Sequence, residues 1–396
     1  HLKMTMGYDI LLRQYTAAIC VLHCRYVHMK GKKQMKKTTS TKFLSAVCAA
    51  AVCAVMMTGC TDSADSSSDT AVTSEVQSSS SAAEESAAES SAAQTESSDS
   101  TSDSSAADQN TEPSDITPAM WIVTADNGAQ ITMLGSMHAL SDSDYPLPAK
   151  ITDAFDSADI LAVECDTTTT NNLTFQAALL KEMTFDNGDT LKDHISEEGY
   201  NALSDYLQTY GMNVAMYDTY KPWAVANVTD SLPILFSDLK ADLGIDAHFL
   251  ELAHDNNKEI YEVESVDFQM DLLMNYSEDI YDLTFRLLKG ETKDTQVKSL
   301  DELHEAWRTG DVDKIVELNT DEEDTEELSE KDQKLSDEYY KTMITDRNVT
   351  MENAVKELLS DGKNVFYVVG AAHYVGEGGI IDLLEKDGYT VEQVKY

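Results

Sequence analysis

The sequence predicts an α/β (α+β) fold in which two similar strand–GxxH–helix halves flank a mainly helical middle region. Two segments at opposite ends of the folded part, ITMLGSMH and FYVVGAAH, each contain an apolar run, then a Gly, then a His. Apolar runs of this length are typical of buried strands. The chain between them, over residues 172–359, has mostly the amphipathic pattern of helices. Strands at both ends and helices between them therefore indicate a mixed fold class.

Local patterns predict the other elements in order. Residues 121–124 and 131–134 flank Asp126-Asn127-Gly128, a turn sequence that predicts a β-hairpin. A helix at 148–157 leads into a buried strand at 159–163. The middle region is predicted to contain helices 175–183, 197–210 and 267–288, a strand at 258–264, and an acidic, solvated helical excursion at 301–336. The end repeats a β-α-β order, with helix 351–360, strand 365–369, helix 379–386 and strand 390–394.

Two histidines and one glutamate form a candidate site. His138 and His373 each follow a predicted strand, three residues after Gly135 and Gly370 respectively, and Glu164 follows the strand at 159–163. Open α/β sheets bind their ligands at the carboxyl ends of strands. Two imidazoles and a carboxylate are donors that divalent metals accept. The alternative is that these side chains are ordinary hydrogen-bonding loop residues.

The first sixty residues indicate where the protein is located in the cell and do not bear on its fold. Residues 1–34 have no convincing pattern and are predicted to be an extension that is not native to the protein. Residues 35–60 have the features of an export signal, with a basic start, a short apolar core and Met57-Thr58-Gly59-Cys60, which resembles a bacterial lipobox. The expectation is an extracytoplasmic lipoprotein, anchored to the cell membrane by lipid on Cys60. The alternative is an ordinary signal peptide.

Composition separates a tether from a domain. Residues 61–116 are rich in Ser, Ala, Asp, Glu and Thr and contain no basic residue, which predicts a disordered acidic tether before a domain at 117–396. The net charge of −42 disfavours nucleic acid as a partner and favours the attraction of cations to acidic clefts. Cys165 is the one cysteine after Cys60, so the domain has no intrachain disulfide. Cys165 is a nucleophile, a ligand or, as alternation favours, a small buried apolar residue.

These segments carry a resemblance to a known family. GSMH at 135–138, Glu164 and GAAHYVGEGGIIDLL at 370–384 resemble the TraB/GumN family, whose relatives include the pheromone-shutdown protein PrgY and the Tiki metalloproteases. Further matches between them are KPW at 221–223, GIDxHFL at 244–250, NKEIYEVES at 257–265 with Gln269, and RNxxM at 347–351. The resemblance covers the whole domain. It implies two pseudo-symmetric halves that each offer a GxxH, and, from the Tiki branch, a divalent-metal-dependent protease.

The resemblance gives the candidate residues roles. His138 and His373 would donate neutral imidazoles to a divalent ion, and Glu164 would be either a third ligand or the base that takes a proton from water. The sequence does not distinguish Mn, Co or Zn. Arg347 would hold a substrate carboxylate or an oxyanion, or would instead form a salt bridge with the many acidic residues.

Three further residues match positions of the family motifs, but the sequence does not place them in the fold. Asp246 and His248 are candidate cleft residues that alternatively cap a helix. Glu264 is a candidate that alternatively pairs with Arg347. Neither an HExxH helix nor a GxSxG turn occurs, which argues against a thermolysin-like metalloprotease and a serine hydrolase.

Two classes of function remain. The first is a surface-anchored metallohydrolase that acts on a peptide or another small-molecule substrate. The second is a non-catalytic lipoprotein that captures a peptide or a metal in the same cleft. Glu164 separates the two classes, because binding alone does not require a carboxylate beside the reacting water.

Overall fold

The computed structural model describes residues 114–170, 172–320 and 328–396. In these ranges the strands are β1 (Met120–Thr124), β2 (Gln130–Ser136), β3 (Ile160–Val163), β4 (Glu259–Glu262), β5 (Val365–Gly370) and β6 (Thr390–Gln393). The α-helices are α1 (Ala149–Ser157), α2 (Leu173–Met183), α3 (Leu191–His194), α4 (Glu197–Thr209), α5 (Pro222–Leu235), α6 (Ile245–Asn256), α7 (Val266–Met274), α8 (Glu278–Arg286), α9 (Lys293–Thr309), α10 (Val312–Thr320), α11 (Glu330–Tyr340), α12 (Asp346–Asp361), α13 (Ala371–Tyr374) and α14 (Ile380–Lys386). Short 3-10 helices are Asp142–Asp144, Thr167–Thr170, Val214–Tyr217 and Ala241–Leu243, and a π-helical turn, Lys341–Thr345, joins α11 to α12.

The strands form one mixed sheet in the order β4-β3-β5-β2-β1-β6. Strands β4, β3, β5 and β2 are parallel, whereas β1 pairs antiparallel with both β2 and β6. The β2–β5 register aligns Gly135 with Val369 and Ser136 with Gly370. The two strands that lead into the GxxH motifs are therefore neighbours at the centre of the sheet, and their carboxyl ends lie at the same edge.

Helices cover both faces of the sheet. On one face, Phe366 of β5 contacts Phe155 of α1 and Phe249 of α6, with ring centroids 6.1 and 4.9 Å apart. On the other face, Tyr367 shares a core with Met351 of α12. Strands buried on both faces need apolar side chains at consecutive positions, which explains the unbroken apolar run of β5.

The middle region forms a second apolar core, mainly from helices. Tyr206 of α4, Trp223 of α5 and Phe285 of α8 are buried together there. Helix α5 begins at Pro222, where a proline has no hydrogen bond to lose, so the KPW motif is a helix start. No helix in the described ranges is both long enough and apolar enough to cross a bilayer.

The predicted α/β class is confirmed, and so is the hairpin of β1 and β2. The single helix predicted at 267–288 is wrong, because α7 and α8 are separate and Ser277 caps the second. The excursion predicted at 301–336 is not fully solvated, since Trp307 and Ile315 are buried in the core of the sheet.

The predictions for the front of the chain fall mostly outside the described residues. The extension at 1–34, the signal and Cys60 at 35–60, and the tether up to residue 113 are not described. The end of the predicted tether is folded: Ile116 is 2% exposed and Ser114 donates its backbone N–H to the Pro146 carbonyl. The folded part therefore begins upstream of residue 117, because an apolar side chain of this segment completes the core.

Candidate active site

The candidate site lies at the edge where the four parallel strands end. His138 follows β2, Glu164 follows β3, Glu264 follows β4, and His373 lies in α13 directly after β5. The first GxxH continues as irregular chain, so only the second opens directly into a helix. Parallel pairing of neighbouring strands brings four polar side chains together that are far apart in sequence.

Gly370 provides the space that these side chains share. A Cβ built on Gly370 would lie 3.3 Å from Glu164 Oε1, 3.5 Å from His373 Cδ2 and 3.8 Å from His138 Nε2. His373 Nε2 lies 3.9 Å from Glu164 Oε1. The structure thus brings His138, Glu164 and His373 around one point, and any residue larger than glycine at 370 would occupy part of it.

Each histidine is oriented through its Nδ1 atom. His138 Nδ1 is 2.5 Å from Asp246 Oδ2, and a carboxylate only accepts, so Nδ1 carries a proton. His373 Nδ1 is 2.5 Å from Asn348 Oδ1, and the same amide donates its NH₂ to the Gly378 carbonyl, which identifies the oxygen as the acceptor for His373. Because Nδ1 of each ring is held in this way, Nε2 is the nitrogen on the side of the ring that faces Gly370.

Helix α6 places Asp246 beside His138. Ile245 at the helix start donates its backbone N–H to the Met137 carbonyl, and a Cβ at Gly244 would overlap the His138 backbone. Burial lowers the pKa of His138, but the Asp246 carboxylate outweighs it, so the pKa lies above the ordinary value of 6.5. The GIDxHFL motif is therefore the segment that supports the first histidine.

Arg347 is buried between two carboxylates. Its Nη2 donates to Glu164 Oε2 at 2.7 Å and to Glu264 Oε2 at 2.9 Å, and its Nε donates to Glu264 Oε1 at 2.8 Å. Gln269 Nε2 donates to the same two carboxylates, at 3.2 and 2.7 Å. The predicted alternative for Arg347, an ion pair with acidic residues, is what the structure shows. The guanidinium therefore does not face a substrate in this arrangement.

Glu164 is held by three kinds of donor. The backbone N–H of Gly370 donates to its Oε1 at 2.8 Å, while Arg347 and Gln269 bind Oε2. The carboxylate is 2% exposed. Its Oε1 edge faces the point shared with the histidines, and its Oε2 edge faces the Arg347 ion pair.

Other predicted residues support the site or lie apart from it. Gly135 lies at the end of β2, where its carbonyl accepts from Trp307 Nε1 at 2.9 Å. His248 is not joined to the centre: its ring lies 5.0 Å from that of Tyr145 in a tilted arrangement, and burial lowers its pKa. Cys165 is buried and donates to Gln269 Oε1, and burial raises the pKa of its thiol, so the interpretation as a small buried residue fits best.

Asn348 and Gln269 bind site residues, although neither has a predicted role. Both are buried, Asn348 in α12 and Gln269 in α7. A buried amide needs hydrogen-bond partners, so a polar residue at such a position was the available signal.

The described residues contain no group of three or more His, Cys, Asp and Glu side chains arranged to hold a metal ion. The two Nε2 atoms face the shared space, whereas the carboxylate nearest to them is bonded to protein donors. The geometry supplies two oriented imidazoles and one fixed carboxylate.

Comparison with known proteins supports the resemblance. The TraB/PrgY/gumN family profile matches residues 119–393. The chain is 23% identical over 266 residues to the uncharacterized protein YbaP of Escherichia coli (strain K12), an overlap of 66% of this chain and 90% of YbaP. It is 29% identical over 222 residues to the Metalloprotease TIKI homolog of Nematostella vectensis, covering 51% of this chain and 46% of that protein. With Metalloprotease TIKI1 of Danio rerio it shares 24% identity over 322 residues, 72% of this chain and 64% of that protein.

No solved structure matches the chain significantly. The family match spans the sheet and all the residues that surround Gly370. The chain therefore belongs to the TraB/PrgY/gumN family.

Proposed function

We propose that the centre around Gly370 is the active site of a divalent-metal-dependent hydrolase that cleaves peptides. One observation carries the proposal: His138 Nε2, Glu164 Oε1 and the His373 ring all lie within 4 Å of the position that a Cβ on Gly370 would take. Two oriented imidazoles and a carboxylate around one point are groups that can activate a water molecule for attack.

The relatives named metalloproteases suggest the ion. Both imidazoles fit as ligands, because Asp246 and Asn348 hold their Nδ1–H groups and thereby direct Nε2 inward, as acceptors behind metal-bound histidines do. A divalent ion bound there would polarise the substrate carbonyl and lower the pKa of a water. Glu164 does not complete a ligand set in this arrangement, so we assign it proton transfer.

The chain's own groups account for the remaining chemistry. Glu164 accepts a proton from the attacking water as the water oxygen bonds to the carbonyl carbon of the scissile amide. The same proton then passes to the amide nitrogen as the carbon–nitrogen bond breaks, which leaves an amine and a carboxylic acid that still carries the second proton of the water. The Gly370 N–H and the Arg347 guanidinium fix the carboxylate, so its Oε1 stays beside the reacting atoms throughout.

The second candidate is a binding protein that captures a peptide or a metal without turnover. The observation that favours it is the pairing of Glu164, whose oxygens accept from Arg347, Gln269 and Gly370. A carboxylate held in this way is also expected of a purely structural ion pair.

Peptide cleavage by the full chain tests the proposal. The probe is a randomised quenched-fluorescent peptide library, assayed after chelation and after return of Mn²⁺, Co²⁺ or Zn²⁺. We expect chelation to abolish cleavage and one of the ions to restore it. His138→Ala and His373→Ala should each lower the rate at least about 100-fold. His194→Ala is the matched control, because His194 forms surface ion pairs with Glu278 and Asp189 and should leave the rate unchanged.

Glu164→Gln separates its two roles. Retained metal with lost turnover supports the base, whereas lost metal assigns Glu164 as a ligand. A wild-type chain that binds peptides without cleaving them, under every metal, would establish the binding protein instead.

We further propose that lipid on Cys60 anchors the domain outside the cytoplasm. Its support is the basic, apolar and lipobox-like order of residues 35–60. Mass spectrometry of the membrane fraction should find a mature chain that starts at a diacylated Cys60. A soluble chain that starts elsewhere would contradict the anchor.

A further inference from the structure

Ser136 carries a buried hydroxyl that the hydrogen-bond network leaves unused. It is the last residue of β2, and it is 4% exposed. Within the described residues its Oγ has no hydrogen-bond partner. A buried hydroxyl without a partner costs stability, so such a group in a folded protein calls for a ligand or another compensation.

The strand register places the Ser136 side chain beside the candidate active site. Leu134 of β2 and its register partner Val368 of β5 pack in the same core, so they lie on one face of the sheet. Ser136 and Gly370 follow them by two residues and are also partners, so alternation places both on that face. The Ser136 Cβ is therefore about 5 Å, one strand spacing, from the position that a Cβ on Gly370 would occupy.

The backbone next to Ser136 is fixed by a buried tryptophan. Trp307 Nε1 donates to the carbonyl of Gly135, the preceding residue, and fixes the end of β2. Glu164 and His373 are as deeply buried as Ser136. The Ser136 side chain is thus buried at the same strand ends as the two histidines and the glutamate.

We propose that the Ser136 hydroxyl donates a hydrogen bond to the carbonyl oxygen of the scissile amide, opposite the Glu164 carboxylate. This inference rests on the proposed hydrolysis and adds the residue that would stabilise the oxygen as it becomes negative. Such a donor strengthens its bond in the transition state, so its loss lowers kcat more than it raises KM.

The test uses full-length variants with the peptide of the library that the wild type cleaves best. Ser136→Ala should lower kcat about 100-fold and change KM less than about threefold. Its melting temperature should equal or exceed that of the wild type, because the change removes an unpaired buried polar group. Threonine and valine side chains have the same shape, but only threonine has a hydroxyl. Higher activity of Ser136→Thr than of Ser136→Val would therefore isolate the contribution of the hydroxyl.

Ser336→Ala is the matched control, since Ser336 of α11 also has a buried Oγ without a partner in the described residues. It should leave kcat and KM unchanged. If Ser136→Ala stays within twofold of wild-type kcat/KM, or if Thr and Val are equally impaired, the inference is overturned. A lower melting temperature with normal turnover would mean that Ser136 holds a structural water.

The outcome for hydrolysis itself is read separately. If the wild type cleaves and His373→Ala does not, the proposed function holds whatever Ser136 does. If the wild type neither cleaves nor binds any peptide of the library, both the proposed function and the role of Ser136 fail together.

Discussion

Replacing Arg347 with Met should destabilise the domain by about 4 kcal/mol. The side chain is 3% exposed and donates three charge-assisted bonds of 2.7–2.9 Å to Glu164 and Glu264. Each such bond contributes about 1.5–3 kcal/mol net, and removing one partner of a buried ion pair costs about 3–5 kcal/mol. Methionine fills a similar volume but leaves two carboxylates facing each other without a cation.

Urea unfolding followed by tryptophan fluorescence measures this loss. A loss of about 4 kcal/mol is a large part of the roughly 5–15 kcal/mol by which domains are stable. At about 2–4 °C per kcal/mol, the melting temperature should fall by about 8–16 °C. Adding Glu264→Gln to Arg347→Met removes one stranded charge and should restore about half of the lost free energy.

Arg286→Met is the matched control. Arg286 also makes three bonds to carboxylates, of 2.6–3.2 Å, with Asp282 and Asp332. Its side chain is 22% exposed, so its loss should cost about 1 kcal/mol. If the Arg347 variant loses less than about 1 kcal/mol, or if the two variants lose equal amounts, then burial of the ion pair is not what makes Arg347 important.

Three further changes test the site and its support. Gly370→Ala would place a methyl group among the site side chains, so peptide cleavage should fall about 100-fold. The circular dichroism spectrum should stay unchanged. Near-wild-type cleavage would show that the reaction does not use the space beside Gly370. Asp246→Asn removes the charge that raises the pKa of His138, so an NMR titration should find a lower pKa for that imidazole, and an unchanged value would contradict the assignment. Hydrogen bonds to Asp144 from His304 and other donors outweigh the effect of burial and lower the pKa of this carboxyl. The stability that the ionised carboxylate contributes is therefore present above the ordinary Asp pKa of about 3.9. It is lost as the pH falls through the lower pKa of the folded state. Asp144→Asn should therefore be less stable than the wild type in urea at pH 7 and equally stable in strong acid; a constant difference would refute this.

Sequence patterns were sufficient to predict which strand ends converge. The apolar runs before His138 and His373 are buried on both faces, so they had to be central strands, and parallel central strands share an edge. The convergence of Glu164 followed from the same reasoning, because β3 is another short buried strand. Their roles as ligands and base stay a prediction.

The supporting residues could not be predicted in the same way. In a protein with many acidic residues, an ion pair between Glu264 and Arg347 is one of many possible pairs. Only the tertiary arrangement shows that Glu164 and Glu264 bind the same Arg347 guanidinium. The break between α7, which ends at Met274, and α8, which begins at Glu278, is concealed by a continuous amphipathic pattern. Periodicity reports which face is buried, whereas it contains no information about which buried polar groups meet.

The position of β5 makes the end of the chain essential to its centre. β5 comes late in the sequence, yet it lies between β3 and β2, so the sheet stays divided until residues 365–370 are available. A growing or truncated chain that stops before β5 has neither His373 nor the strand that joins β3, which precedes Glu164, to β2, which precedes His138. The order of synthesis thus delays the assembly of the centre until nearly the whole domain exists, and these long-range pairings predict slow, cooperative folding.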